Sequence, residues 1–265
     1  MKSLLKLSGV TKIYNQGKID ESSVFDNFGF EVGKGQFISI VGSNGSGKTT
    51  LLNIISGNAV PTSGKVELAD ADGTMRDITK AKEYVRAKRI GRVFQDSSLG
   101  TAPYMTIAEN LALAENKGKR AGLKFALNKK KTDYYRGLVE PLGLGLEDKM
   151  NVAVSSLSGG QRQALSLVIS TLTPLDLLLL DEHTASLDPK TSEIIMRLTD
   201  KIIREKNLTA IMVTHNLRYA VEYGNRIIMF DKGKAVVDAA GEDKEKWDIN
   251  SLLKVFNAIS IECGN

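Results

Sequence analysis

The chain has 265 residues, 42% of them hydrophobic and 25% charged, with a net charge of +5. That balance excludes intrinsic disorder and collagen-like structure, and the length suits one large domain or a core carrying an inserted subdomain. Apolar runs such as residues 177–180 end within a few residues, far short of a membrane span. The charge is read first as a solvated surface, with nucleic acid or anionic lipid as the competing explanation.

The N-terminal residues carry charge but no apolar core and no small-residue cleavage site, so they read as the start of a strand, not a signal peptide. The chain is therefore expected on the cytoplasmic side, held at the inner face of the cell membrane only through a partner. Cys263 is the single cysteine, which excludes an intrachain disulfide and a cysteine metal site.

Residues 4–10 and 29–32 read as strands flanking a polar loop with Asn15, Gly17 and Glu21. Residues 37–41, Phe-Ile-Ser-Ile-Val, have the composition of a buried parallel strand. A glycine-rich loop follows, then a helix over 48–56 ending at Gly57, a C-terminal cap. Residues 64–70 and 74–78 around Asp72-Gly73 read as a hairpin, and 90–94 as a further strand. From 97 to 171 helical patterns dominate. Strands return at 177–180, 210–213, 226–230 and 234–237, with a helix over 190–206. Alternating strands and helices imply a parallel sheet covered on both faces. Residues 117–136 hold eight basic residues against Asp133. They are expected to be a solvated helix pair and loop; the competing reading is contact with anionic lipid or an acidic partner.

Gly42, Ser43, Asn44, Gly45, Ser46, Gly47, Lys48 and Thr49 fit the pattern G-x-x-x-x-G-K-[ST] in full, between a strand and a helix as the pattern requires. Glycines let successive backbone N–H groups face inward, and the helix start adds its positive dipole end. Lys48 is expected to reach the β- and γ-phosphates of a nucleotide, Thr49 to give its hydroxyl to Mg²⁺, and the binding segment to extend to Thr50. The run 177–180 ends in Asp181 and Glu182, two carboxylates at the carboxyl edge of a buried strand, where open α/β sheets bind ligands. Asp181 is expected to hold Mg²⁺ and Glu182 to polarise the attacking water.

Between these motifs stand Leu157, Ser158, Gly159, Gly160 and Gln161. With this LSGGQ string the chain resembles the ATP-binding cassette ATPases over nearly its whole length. Ser158 and two glycines at a helix start form a second anion-binding surface. The resemblance implies that this surface closes over the γ-phosphate held by an opposite subunit, in a head-to-tail homodimer or a pair with another cassette. It also implies that Tyr14 stacks on adenine and that Gln95 senses Mg²⁺ and the attacking water and links to a permease. Residues 186–188 would cross the dimer interface, and His215 would contact the γ-phosphate.

The fold it implies is α/β: a RecA-like phosphate-loop core with an N-terminal antiparallel β element, residues 1–95 and 172–265. A helical subdomain, 96–171, is inserted in it, and the tail after Gly241 is too short for a regulatory domain. His183 stands where most cassettes have proline; it is expected to be a passive loop residue, the alternative being a charged group that tunes Glu182. Residues 181–185 resemble cassettes associated with uptake systems for tryptophan, tyrosine and related solutes. The expected function is an ATP-hydrolysing importer subunit with a separate permease and solute-binding protein and no nucleic-acid partner. The alternatives are an exporter ATPase and a soluble cassette acting on ribosomes, DNA or cofactor assembly.

Overall fold

The computed structural model describes residues 2–119 and 127–262. Its strands are β1 (Ser3–Tyr14), β2 (Ser22–Gly33), β3 (Phe37–Gly42), β4 (Ser63–Ala69), β5 (Met75–Asp77), β6 (Ile90–Val93), β7 (Leu177–Asp181), β8 (Thr209–Val213), β9 (Arg226–Asp231) and β10 (Lys234–Ala240). Its helices are α1 (Lys48–Ser56), α2 (Glu83–Arg86), α3 (Ile107–Glu115), α4 (Lys129–Val139), α5 (Gly159–Thr171), α6 (Pro189–Glu205), α7 (Leu217–Glu222), α8 (Glu242–Glu245) and α9 (Ile249–Glu262). None of these helices is long and apolar enough to cross a membrane. The described chain separates into two compact units, residues 1–87 with 207–265, and residues 88–206.

The first unit holds an antiparallel sheet in the order β2-β1-β4-β5 and the strands β10-β9-β3-β8 side by side. β3 is parallel to both β8 and β9, and β10 closes the edge antiparallel to β9. Every residue of β3 and β8 is buried, which is why both read as continuous apolar runs without alternation. β1 and β2 run much further than the residues 4–10 and 29–32 expected. Their pairing carries register shifts, one of them between Leu7 and Val10 where Gly9 takes φ 59°, and the shifts break the two-residue periodicity that marks a strand. The polar loop shrinks to residues 15–21.

The tail after Gly241 folds onto this unit. Leu252 of α9 is fully buried with Val41, Ala220, Ile227, Met229, Val237 and Ala239, and Trp247 and Phe256 pack against the same cluster. Lys244 donates from Nζ to the carbonyls of Val221, Tyr223 and Gly224 at 2.7–2.9 Å, closing the end of α7.

The second unit pairs β6 and β7 in parallel and carries α3 to α6; the expected helical stretch 96–171 lies inside it. α3 starts with a capping box between Thr106 and Glu109. In the basic stretch, residues 120–126 lie outside the described residues. Of the rest, Lys131 pairs with Glu115 at 2.8 Å and Arg136 with Asp133 at 2.6 Å, while Lys129 and Lys130 are exposed on α4. Tyr135 is buried beside the same Glu115, and burial, with the hydrogen bond to that carboxylate, pushes its pKa up. Cys263 also lies outside the described residues.

Candidate nucleotide site

The phosphate loop of the first unit runs from the end of β3 to the start of α1. Gly42, Gly45 and Gly47 have φ of 150°, 76° and 106°, conformations that side-chain-bearing residues rarely adopt. A Cβ on Gly42 would collide with the carbonyl oxygen of Phe230, and one on Gly47 would lie 3.0 Å from the Phe25 ring. Lys48 is buried and donates from Nζ to the carbonyls of Gly42 and Ser43, each at 2.8 Å. Thr49 is exposed and Thr50 half-buried, with Ser43 half-buried and Asn44 exposed at the tip.

The start of α1 suits an anion. Helices α3, α4, α5, α6 and α7 begin at Thr106, Asn128, Ser158, Asp188 and Asn216, whose side chains accept backbone N–H bonds. α1 begins at Gly47 with no side-chain cap and no acidic residue in its first turn. Its first N–H groups and positive dipole end therefore face an acceptor that the side chains do not supply. The hydroxyl of Ser46 is buried without a hydrogen-bond partner in the same loop. Both observations fit a phosphate chain.

His215 belongs to this unit. It follows β8 in an exposed loop, where the Thr214 N–H donates to the Ile40 carbonyl at 3.1 Å and Asn216 caps α7. Parallel pairing of β3 with β8 thus brings His215 and the phosphate loop to one sheet edge. Tyr14 ends β1, and Lys12 Nζ lies 4.6 Å from the centre of its ring.

The carboxylates belong to the second unit. Asp181 ends β7, mostly buried, with Oδ2 2.6 Å from Arg92 Nη2. The next residue, Glu182, is half-buried and takes φ 47°, a left-handed conformation uncommon for a residue with a side chain. Its carbonyl accepts from the Ala185 N–H at 2.9 Å, so the chain turns sharply as it leaves the strand. Pairing of Val93 with Leu180 carries β6 to the same edge, so Phe94 and the exposed Gln95 emerge beside Asp181. A strand-end carboxylate with two oxygens is a suitable donor for Mg²⁺.

His183 is a structural residue of the turn and not a charge beside Glu182. Its ring is buried, Nε2 lies 3.1 Å from Thr199 Oγ1, and burial pushes its pKa down to about 4. It is a neutral fastener between the carboxylate turn and α6. The unfolded chain protonates this ring near pH 6.5 and the folded chain only near pH 4. The stability from burying it neutral is complete above pH 6.5 and is lost as pH falls toward 4, a change of about 3 kcal/mol. Urea unfolding at pH 7 and pH 4 should show this loss in the wild type and not in His183→Gln; parallel losses in both would disprove a buried neutral ring.

The signature segment is built as a helix start. Ser158 Oγ accepts from the Gln161 N–H at 3.3 Å, and Gln161 Oε1 accepts from the Ser158 N–H at 3.2 Å. Gln161 also donates to the Leu144 carbonyl at 2.9 Å and accepts from Lys149 Nζ at 3.3 Å. Its side chain therefore locks α5 to the preceding loop, a role the sequence did not suggest. A Cβ on Gly160 would strike Thr191, and one on Gly159 would lie 3.3 Å from Leu187. The two glycines let α5 pack against residues 187–191, whose Asp188 caps α6 at 3.0 Å from the Thr191 N–H. At the start of α5, the bond from the Gln161 N–H uses one lone pair of Ser158 Oγ and leaves its hydroxyl hydrogen to donate.

A parallel-sheet core with an uncapped glycine loop, a strand-end carboxylate pair and a second capped helix start defines a nucleotide-binding cassette. Residues 25–185 match the family described as ABC transporter, and the chain belongs to that family as an ATP-binding subunit and an ATPase. It is similar to a tyrosine transport ATP-binding protein of Clostridioides difficile (strain R20291), 47% identical over 253 residues, covering 96% of this chain and 98% of that protein. Among solved structures it is similar to a dimeric ATP-binding cassette in a post-hydrolysis state bound to ADP and Pi. That match has a TM-score of 0.73 at 30% identity, over 89% of this chain and 98% of that one. A nucleotide-free cassette from an ABC transporter shares the fold, with a TM-score of 0.76 at 22% identity over 97% of this chain and 98% of that one.

Proposed function

We propose that this chain is the ATP-hydrolysing subunit of an importer for a small solute of the aromatic amino-acid class, working as a head-to-tail pair beneath a separate permease. The 47% identity to a tyrosine transport ATP-binding protein, over almost the full length of both chains, carries the substrate reading. The dimeric cassette at 30% identity supports the pairing.

In this reading the backbone N–H groups of residues 42–50 and Lys48 cradle the phosphates, and adenine stacks on Tyr14. Asp181, Thr49 and Gln95 would hold Mg²⁺, which would supply positive charge to offset that of the phosphates. Residues Ser158, Gly159, Gly160 and Gln161 of the opposing copy close over the γ-phosphate, with Gln161 acting by holding α5 in place. Glu182 accepts the proton of the attacking water, and His215 donates to the γ-phosphate as charge develops. Closure and opening of the pair pull on the permease, and a solute-binding protein delivers the solute from outside.

Capture of the subunit from gently solubilised native membranes, followed by identification of its companions, tests this reading. A permease with a solute-binding protein, and tyrosine-stimulated ATPase activity after reconstitution of all three, is the expected result. A permease alone favours export, and recovery of ribosomes or RNA instead removes the transporter reading.

A further inference from the structure

The buried ion pair between Arg92 and Asp181 joins two residues 89 positions apart, and the cassette chemistry described above has no use for Arg92. β6 and β7 pair in parallel with Arg92 opposite Leu179, so the side chain of Arg92 and that of Asp181, two residues beyond Leu179, lie on one face of the sheet. Arg92 Nη2 meets Asp181 Oδ2 at 2.6 Å, and the two side chains are 9% and 12% exposed. The guanidinium is braced by Phe94, its carbon lying 4.7 Å from the ring centre, and the Arg92 backbone is held separately, its carbonyl accepting from Ser170 Oγ at 2.9 Å.

This arrangement has a consequence for the metal. A carboxylate this deep is costly without a counter-charge, and Arg92 supplies one. Arginine stays protonated at any physiological pH, so the counter-charge is permanent. A permanent positive charge in contact with the carboxylate opposes the approach of a divalent cation, strongly so where water is largely excluded. The phosphates of ATP bring enough negative charge to overcome that opposition. We infer that Arg92 is a positioning residue that holds the Asp181 carboxylate and makes Mg²⁺ binding conditional on nucleotide. The inference rests on the reading of Asp181 as the metal-binding carboxylate.

The test uses the full chain and Mn²⁺ as probe, with free Mn²⁺ read by electron paramagnetic resonance. Without nucleotide, Arg92→Gln should bind Mn²⁺ at least tenfold more tightly than wild type. Arg92→Lys, which keeps the charge, should stay near wild type, and the double variant Arg92→Gln with Asp181→Asn should lose the gain. Arg92→Met, which keeps contact with Phe94 and adds no polar group, is measured in parallel so that poor folding of one variant does not decide the matter. Unchanged or weaker Mn²⁺ binding in the folded neutral variants overturns the inference. The underlying reading is checked separately: Asp181→Asn should weaken Mn²⁺ binding in the presence of ATP, and no effect there would discard Asp181 as the metal carboxylate whatever Arg92 does.

Discussion

Glu182→Gln should bind ATP with near wild-type affinity yet hydrolyse it about a thousandfold more slowly, within the range expected for loss of a positioned general base. The exchange keeps the size and shape of a half-buried side chain at a turn already held by the bond from the Ala185 N–H to the Glu182 carbonyl. Little stability should therefore be lost, and the φ of 47° imposes the same demand on either residue. What disappears is the proton acceptor. If opening of the pair needs hydrolysis, the variant should accumulate as an ATP-bound dimer, visible by size-exclusion chromatography with light scattering. Single-turnover assays give the chemical rate directly. Near-normal turnover would remove Glu182 from its assigned role.

The second large effect is structural. Arg86→Met should lower the stability of the first unit by about 4 kcal/mol, the scale for stranding several buried acceptors at once. Arg86 is 3% exposed and its guanidinium donates to four carbonyls: Ile54 at 2.7 Å and Ile55 at 3.0 Å through Nη1, Ala81 at 2.9 Å through Nε, and Thr79 at 2.9 Å through Nη2. Two of these are among the last carbonyls of α1, the helix whose first turn faces the phosphate loop. Burial pushes the Arg86 pKa down, with the charge of Asp77 acting in the opposite direction. A cation at the carboxyl end of α1 also complements the helix dipole. Urea unfolding should show the loss, and nucleotide affinity should weaken in step because the loop is anchored to α1. Arg86→Lys should recover only part of the stability, since an ammonium cannot present the planar fork of donors. Wild-type stability in Arg86→Met would mean that water or a shifted backbone satisfies those carbonyls.

The local pieces were legible from residue type and spacing. A run of apolar β-branched residues, a glycine loop and a helical stretch stopped by Gly57 are signals within about twenty residues, and α1 ends at Gly57 with φ 88° as its cap chemistry requires. The Asp72-Gly73 hairpin, the strand ending in Asp181 and Glu182, and the family itself were legible for the same reason: spacing and residue type suffice. The tertiary structure decided what depends on register and burial. The length of β1 and β2 was hidden by bulges that break periodicity. α9 shows its purpose only through the cluster around Leu252. His183 is neutral because α6 covers it and Thr199 meets its ring, contacts set sixteen positions away. Arg86 and Arg92 belong to no motif legible in the sequence. Folding buries both, one against the carbonyl end of the phosphate-loop helix and the other against Asp181. A buried charge must find its partner across the fold, and that pairing is fixed by strand register and helix packing, not by neighbours in sequence.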